Sequence, residues 1–476
     1  MPPTLLDSPS EKRPVSTPSE KPSSAVPQVG IKRLIWLYFW LLLLEGALRK
    51  WILPGWANPL LLIRDPVVII IYFMALTRGI FPRNYFMICT AALFIGNAVA
   101  SIFVGQENVY IILYGLRTNF LHLPLIFIIA SVFNREDVEK VGKWLLISTI
   151  PMAILVFIQF RASPDAWVNV GVGASVGKQL TVGFGKIRPP GTFSFTSGLA
   201  AYLALLAAYM MSWQIKRGPI PPKLALAAVP AMGVMMGVSG SRSVLTAFAL
   251  ILGGVALVCM IKPIFFGKGV RAALVIGLAF FVLQSNSSTF RDGLTVHEDR
   301  LSSGGGVQFG LIERTFSGFL EPFEALHDIP LLGKGIGLGT TAAGSILTGE
   351  RSFILAEGEW MRVVSESGPV LGFIYLGMRF VLVLALAHAA FNALWDENPL
   401  PFILFASVFP PILNGQFGVP TILGFTMFGA GLCFAAAVPP PKSEEPDRFQ
   451  ISPESVTNPN RTVRGRSIYA ERLHGR

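Results

Sequence analysis

Long apolar runs separated by short polar breaks set the pattern of this chain. Stretches able to cross about 30 Å of hydrocarbon are predicted near 34–53, 59–77, 85–104, 110–133, 144–160, 193–213, 223–239, 243–261, 270–285, 369–392, 398–414 and 420–438. Hydrophobic residues make up 52% of the chain and charged ones 14%, and the mean hydropathy is +0.57. Ordinary soluble domains do not have this balance. The expected fold class is therefore an all-α integral membrane protein of about twelve transmembrane helices. Residues 31–285 hold the first nine spans and 369–438 the last three, with one large helical loop at 286–368 between them. "SGSRS" divides the closely linked pair at 223–239 and 243–261.

Charge then orients the chain. Basic residues gather in alternate short loops: Arg78 and Arg83; Arg135, Lys140 and Lys143; Lys216, Arg217 and Lys223; Lys262, Lys268 and Arg271. By the positive-inside rule these face the cytoplasm. Both termini then lie inside and the 286–368 loop is extracytoplasmic. Residues 1–30 are polar, rich in Pro and Ser, and contain no signal-like apolar core, so they and the basic 439–476 segment are expected to be disordered cytoplasmic tails. Arg49, Lys50 and Arg64 fall on the outer side and break the rule. The net charge of +11 is mostly this topology signal plus a tail, so nucleic acid is not an expected partner. Cys89, Cys259 and Cys433 all fall within spans and have neither disulfide nor metal spacing.

The loop at 286–368 combines polar, glycine-rich and helix-periodic stretches. Its "GKGIGLG" lacks the strand-to-helix setting of a nucleotide fingerprint. His297 with Asp299, and His327 with Asp328, have no third ligand at useful spacing and read as surface histidines. The spans show no six-and-six division into related halves, which argues against a carrier of that build.

Charged groups inside a span cost about 2.5–3.5 kcal/mol each on insertion scales, so their depths are informative. Glu45 and Arg49 fall in the outer half of the first span, Asp65 at the outer start of the second, and Arg117 and His122 in the outer half of the fourth. The outer loops add Lys186, Arg188, Arg242, Glu357, Glu359 and Arg362. Together they make one outward-facing layer; Arg379 and His388 stand outside it and read as structural. Pairing within the layer is the alternative to a functional role, since Glu45 and Arg49, Glu359 and Arg362, and Arg362 and Glu366 all have helical pair spacing. Arg188 and Arg242 sit among small or turn-forming residues at span ends, where a guanidinium can reach a phosphate with forked hydrogen bonds. Trp360, Val363, Val364 and Ser367 are expected on the buried side of an amphipathic helix that enters the tenth span, its acidic face toward a cavity.

"RPPGTF.F" at 188–195, "SGSRS" at 239–243 and "EGEWMRVVSESGPVLG" at 357–372 resemble, in order and spacing, the three signatures of the O-antigen polymerase and O-antigen ligase superfamily. "EGALRKWILP" and "YGLRTNFLHLPLIF" are similar to a subgroup assigned to exopolysaccharide polymerases. The resemblance implies a GT-C-like, metal-independent glycosyltransferase of the bacterial inner membrane. Such proteins transfer a glycan from an undecaprenyl-pyrophosphate carrier to an acceptor hydroxyl at the outer leaflet, using neither cofactor nor nucleotide sugar. It implies pyrophosphate-binding roles for Arg188 and Arg242. Lys186, Arg117, His122, Glu45, Arg49, Asp65 and Arg362 are expected around the substrate. Ligase-type members carry histidine at the position of Glu357; its absence favours a polymerase, with Glu357 or Glu359 as general base. A ligase is the runner-up, and a flippase or other transporter of lipid-linked sugars is a third reading that predicts charges spread through the membrane. Expected partners are the lipid-linked oligosaccharide, membrane lipids, and a flippase, chain-length regulator or export complex.

Overall fold

The computed structural model describes residues 25–439 apart from 176–178, 183–184, 217, 219–220, 303–313, 350–352 and 357. The expected tails therefore lie outside the described residues except at their inner edges. There, helix α1 (Ala25–Ala47) already begins at Ala25, earlier than the boundary read at residue 31.

Every predicted apolar run falls on helix. In order these are α1 with a π-helical turn at Leu48–Ile52, α2 (Ala57–Leu60) and α3 (Arg64–Thr77), α4 (Tyr85–Phe103), and α5 (Val109–Leu116) joined by a second π-helical turn, Arg117–Leu121, to α6 (Leu123–Val132). Then follow α7 (Arg135–Arg161), a two-residue antiparallel ladder of β1 (Thr181–Val182) and β2 (Lys186–Ile187), α8 (Thr196–Ile215), α9 (Pro222–Val238), α10 (Arg242–Ile261) and α11 (Phe266–Asn286). After α12 (Ser288–Ser302), α13 (Arg314–Glu324) and α14 (Thr341–Leu347) come α15 (Glu359–Trp395), α16 (Leu400–Asn414) and α17 (Pro420–Ala437). Among the described residues, nine helical segments are long and apolar enough to cross a membrane. The architecture is that of an all-helical, multi-pass membrane protein.

Local chemistry sets the helix ends. Asn84 and Asn108 accept the first free amides of α4 and α5. Asn134 and Asp137 form a reciprocal capping box at the start of α7. Outward faces stay apolar: Ile69, Ile70 and Phe73 on α3, Ile88 and Ile95 on α4, and Leu274, Leu278 and Phe281 on α11 are exposed. Such a belt suits hydrocarbon as the surrounding solvent. Inside, α6, α8, α16 and α17 supply Ile126, Ile129, Tyr202, Leu206, Ile403, Leu404, Phe428 and Leu432 to the core.

One departure from the predicted pattern shapes everything near the charges. Gly368 (φ 77°, ψ 166°) breaks α15, and the chain reverses there instead of continuing as one amphipathic helix. Glu359 and Arg379 would stand about 30 Å apart on a straight helix, yet their side chains meet at 2.7 Å. The first arm, 359–367, folds back on the second so closely that a side chain at Gly372 would strike the Val363 and Val364 backbone. Positive φ makes position 368 a glycine site, and a β-carbon there would collide with the Leu331 carbonyl.

Gly368→Ala is accordingly expected to lower the thermal midpoint of the purified protein clearly. Gly277→Ala, on an α11 face with open space around it, should leave it unchanged. Equal midpoints for the two variants would show that the reversal is not held at Gly368.

Candidate functional site

Three clusters of buried charge lie side by side at one end of the bundle. In the first, Glu45 accepts from Arg49 (3.3 Å) and Arg64 (2.9 Å). Arg49 also donates to the Ala57 carbonyl and the Ser194 hydroxyl, and Arg64 to the Pro420 carbonyl. In the second, Arg117 grips both oxygens of Asp65, His122 Nε2 lies 3.1 Å from Asp65 Oδ1, and Tyr38 is 3.1 Å from His122 Nδ1. In the third, Glu359 accepts from Arg362 and Arg379, while Arg362 also donates to Glu366 at 2.8 Å. Arg64 and Asp65 are chain neighbours, and Asn119 Oδ1 accepts from Arg362 at 3.0 Å. The three clusters are thereby linked.

Their common level follows from helix rise. At 1.5 Å per residue, Arg64 stands about 20 Å from the far end of α3, Arg117 about 22 Å from that of α6, and Arg379 about 24 Å from that of α15. Glu45 is about 20 Å up α1 from Lys32, whose ion pair with Asp137 (2.6 Å) marks the opposite end. The folded-back arm of α15 brings Arg379 into this stratum, although its sequence position suggested mid-span.

The π-helical turns expose the charges to one another. A π-turn leaves backbone carbonyls to be satisfied by other groups. Around the second turn the Gly115 carbonyl accepts from Thr118 and Asn119, the Asn119 carbonyl from Tyr375, and the Leu121 carbonyl from Tyr72. Around the first, Arg49 and Lys50 are both buried.

The segment after Arg188 is stitched to this end of α1. Thr192 donates to the Leu43 carbonyl, Lys50 to the Gly191 carbonyl, and Gly46 lies against the Phe193 and Ser194 backbone. Gln159 brackets Gly191, accepting from its amide at 2.8 Å and donating to its carbonyl at 3.3 Å. Arg188 is half-buried, and its Nε is enclosed without a hydrogen-bond partner, as are Nη1 of Arg64 and Nη1 of Arg117. Lys186 lies over the Phe160 ring. Arg242 opens α10 after a turn at Gly240 (φ 56°), and its guanidinium has no hydrogen bond or ion pair among the described residues. "GKGIGLG" is a backbone clasp: Gly335 N and Gly339 N donate to Glu366 groups, Lys334 N to the Ser365 carbonyl, and Ile336 N to Ser101. His297 donates to the Met236 carbonyl and fastens α12 to α9; burial pushes its imidazole pKa down.

Glu45, Arg49, Asp65, Arg117, His122, Glu359 and Arg362 are thus brought into one stratum, but they are engaged chiefly with one another. Glu359 is 2% and Glu366 1% exposed. The acidic face expected to look into a cavity is instead covered by the second arm of α15 and the glycine clasp. Glu357 lies outside the described residues. Arg379 and Asn119 are members that local sequence reading leaves out; Arg64 shows there only as a breach of the charge rule, and Glu366 only as a helical-spacing partner of Arg362. No known family model matches the chain, nor does any curated protein.

Removing one member of a buried ion pair typically costs about 3–5 kcal/mol, because it leaves an uncompensated charge. Glu359→Gln should therefore destabilise strongly in thermal unfolding. Glu139→Gln, which breaks the half-exposed Arg135–Glu139 pair, should change stability by about 1 kcal/mol or less. Similar small effects from both would show that Glu359 is not the counter-ion of Arg362 and Arg379.

Proposed function

We propose that the protein is a membrane glycosyltransferase that polymerises polyprenyl-diphosphate-linked oligosaccharide repeats into a cell-surface polysaccharide. On this reading it has about twelve spans and works at the outer leaflet, on the charged end of the bundle. The observation that carries the reading is selective pairing. Arg49, Arg64, Arg117, Arg362 and Arg379 each hold an internal carboxylate. Arg188 and Arg242, which stand in the first two polymerase-like signatures, hold none among the described residues; Arg188, like Arg64 and Arg117, also keeps a buried donor unsatisfied, but it alone of these three has no carboxylate partner there. An enclosed guanidinium N–H without an acceptor calls for one, and a phosphate oxygen supplies it with forked geometry.

The chemistry follows from where charge develops. As the bond between the anomeric carbon and the phosphate oxygen breaks, negative charge accumulates on the departing lipid diphosphate. Preorganised cations in a poorly hydrated site stabilise that charge as it forms. The acceptor hydroxyl attacks the anomeric carbon and gives its proton to a carboxylate. Glu359 is held by two guanidiniums, so we assign the proton-accepting role to Glu357. The paired stratum acts as the frame: Glu45, Arg49, Asp65, Arg117, His122 and Arg362 hold the motif-bearing segments in place. Gathering of ionic groups at one level favours surface chemistry over a transport path, which would distribute them along the bilayer normal.

In vesicles reconstituted with lipid-linked oligosaccharide, Arg188→Ala and Arg242→Ala should each reduce chain growth about 10²–10³-fold while remaining folded. Normal product from either variant removes that arginine from the mechanism. A ladder of lengths on the carrier supports polymerisation; glycan on a new acceptor supports ligation; lipid-linked sugar that crosses the bilayer without new bonds supports transport.

A further inference from the structure

Five cations of the stratum are fully buried: Arg49, Lys50, Arg64, Arg362 and Arg379. The four arginines face carboxylates. Lys50, 1% exposed, faces none among the described residues. Its ammonium donates to the Gly191 carbonyl at 2.6 Å and rests 4.2 Å from the Trp51 ring centroid. Gln159 shares the tie, donating to the same carbonyl at the longer distance of 3.3 Å and accepting from the Gly191 amide at 2.8 Å. Burying an ammonium without a counter-ion is costly, and one carbonyl and one ring face offset only part of that cost. A methionine of similar length would fill the space at lower cost.

What distinguishes Lys50 is its position. Gly191 lies three residues after Arg188, in the turn whose φ of 62° sets the loop's course. We propose that Lys50 is a positioning residue that places a positive charge without a carboxylate partner behind the 188–194 loop and so tunes the Arg188 site for the more highly charged diphosphate over a monophosphate. It acts through the loop, without touching the ligand. In a low-dielectric surrounding such a charge is felt over several ångströms with little screening. The inference rests on the anion-binding role assigned to Arg188 above.

The test uses the full-length protein in lipid nanodiscs, titrated with polyprenyl diphosphate and polyprenyl monophosphate and melted without ligand. Lys50→Met should melt at or above the wild-type temperature and bind diphosphate about tenfold more weakly, with its preference over monophosphate largely lost. In chain growth its defect should fall on KM more than kcat. Lys50→Arg, which keeps the charge, should restore the preference. A Lys50→Met protein that melts lower and binds diphosphate like wild type makes Lys50 a scaffold tie and overturns the proposal, as does a Lys50→Arg protein without the preference. Wild-type protein that binds no diphosphate at all sinks the functional reading itself, an outcome distinct from either.

Discussion

A charge placed in hydrocarbon is costly unless a counter-charge meets it inside the protein, and that constraint organises most of the buried charge in this molecule. The stratum at one end of the bundle is a connected set of such solutions: Glu45 between two arginines, Asp65 between Arg117 and His122, and Glu359 between Arg362 and Arg379. Each solution draws helices from distant parts of the sequence together. Arg64 reaches the start of α17 through the Pro420 carbonyl, and Arg379 reaches the end of α16 through Ile412 and Gly415. The α16–α17 connection is thereby held between two of the three clusters. Removing one partner of such a pair is costly because the other is left buried and unmatched.

The same constraint explains the irregular backbone. Two π-turns and the reversal at Gly368 all occur where charged side chains converge. Regular helices would carry these groups past one another. Freed carbonyls are taken up by Thr118, Asn119, Tyr72 and Tyr375, and the clasp at 333–339 closes over the reversed arm through glycines: Gly333 and Gly339 meet the arm, and Gly337 meets Gly115, too closely for a side chain. Within this ion-paired frame every arginine holds a carboxylate, whereas Arg188 and Arg242 hold none among the described residues.

Much of this was legible in the sequence, within limits set by distance along the chain. Apolar runs marked the helices, since hydrocarbon imposes length and composition locally. Depth counting gathered Glu45, Arg49, Asp65, Arg117 and His122 at one level, and helical spacing anticipated the Glu359–Arg362–Glu366 contacts. Partners more than fifty residues apart leave no local period, so Asp65 with Arg117 and Asn119 with Arg362 were invisible. Arg64 showed only as a breach of the charge rule. Arg379 falls outside the layer on sequence spacing alone, because a helix continued through the Gly368–Pro369 pair, a recognisable helix breaker, carries it away from Glu359, whereas the reversal brings the two together.

The central proposal is that the two motif arginines, which hold no carboxylate among the described residues, await a lipid diphosphate that neutralises them. Electron cryo-microscopy of the protein with a non-hydrolysable polyprenyl-diphosphate glycan tests it most directly. The account predicts diphosphate density within hydrogen-bonding reach of both Arg188 and Arg242. Density lodged elsewhere, or arginines facing acyl chains on opposite sides of the bundle, would contradict it.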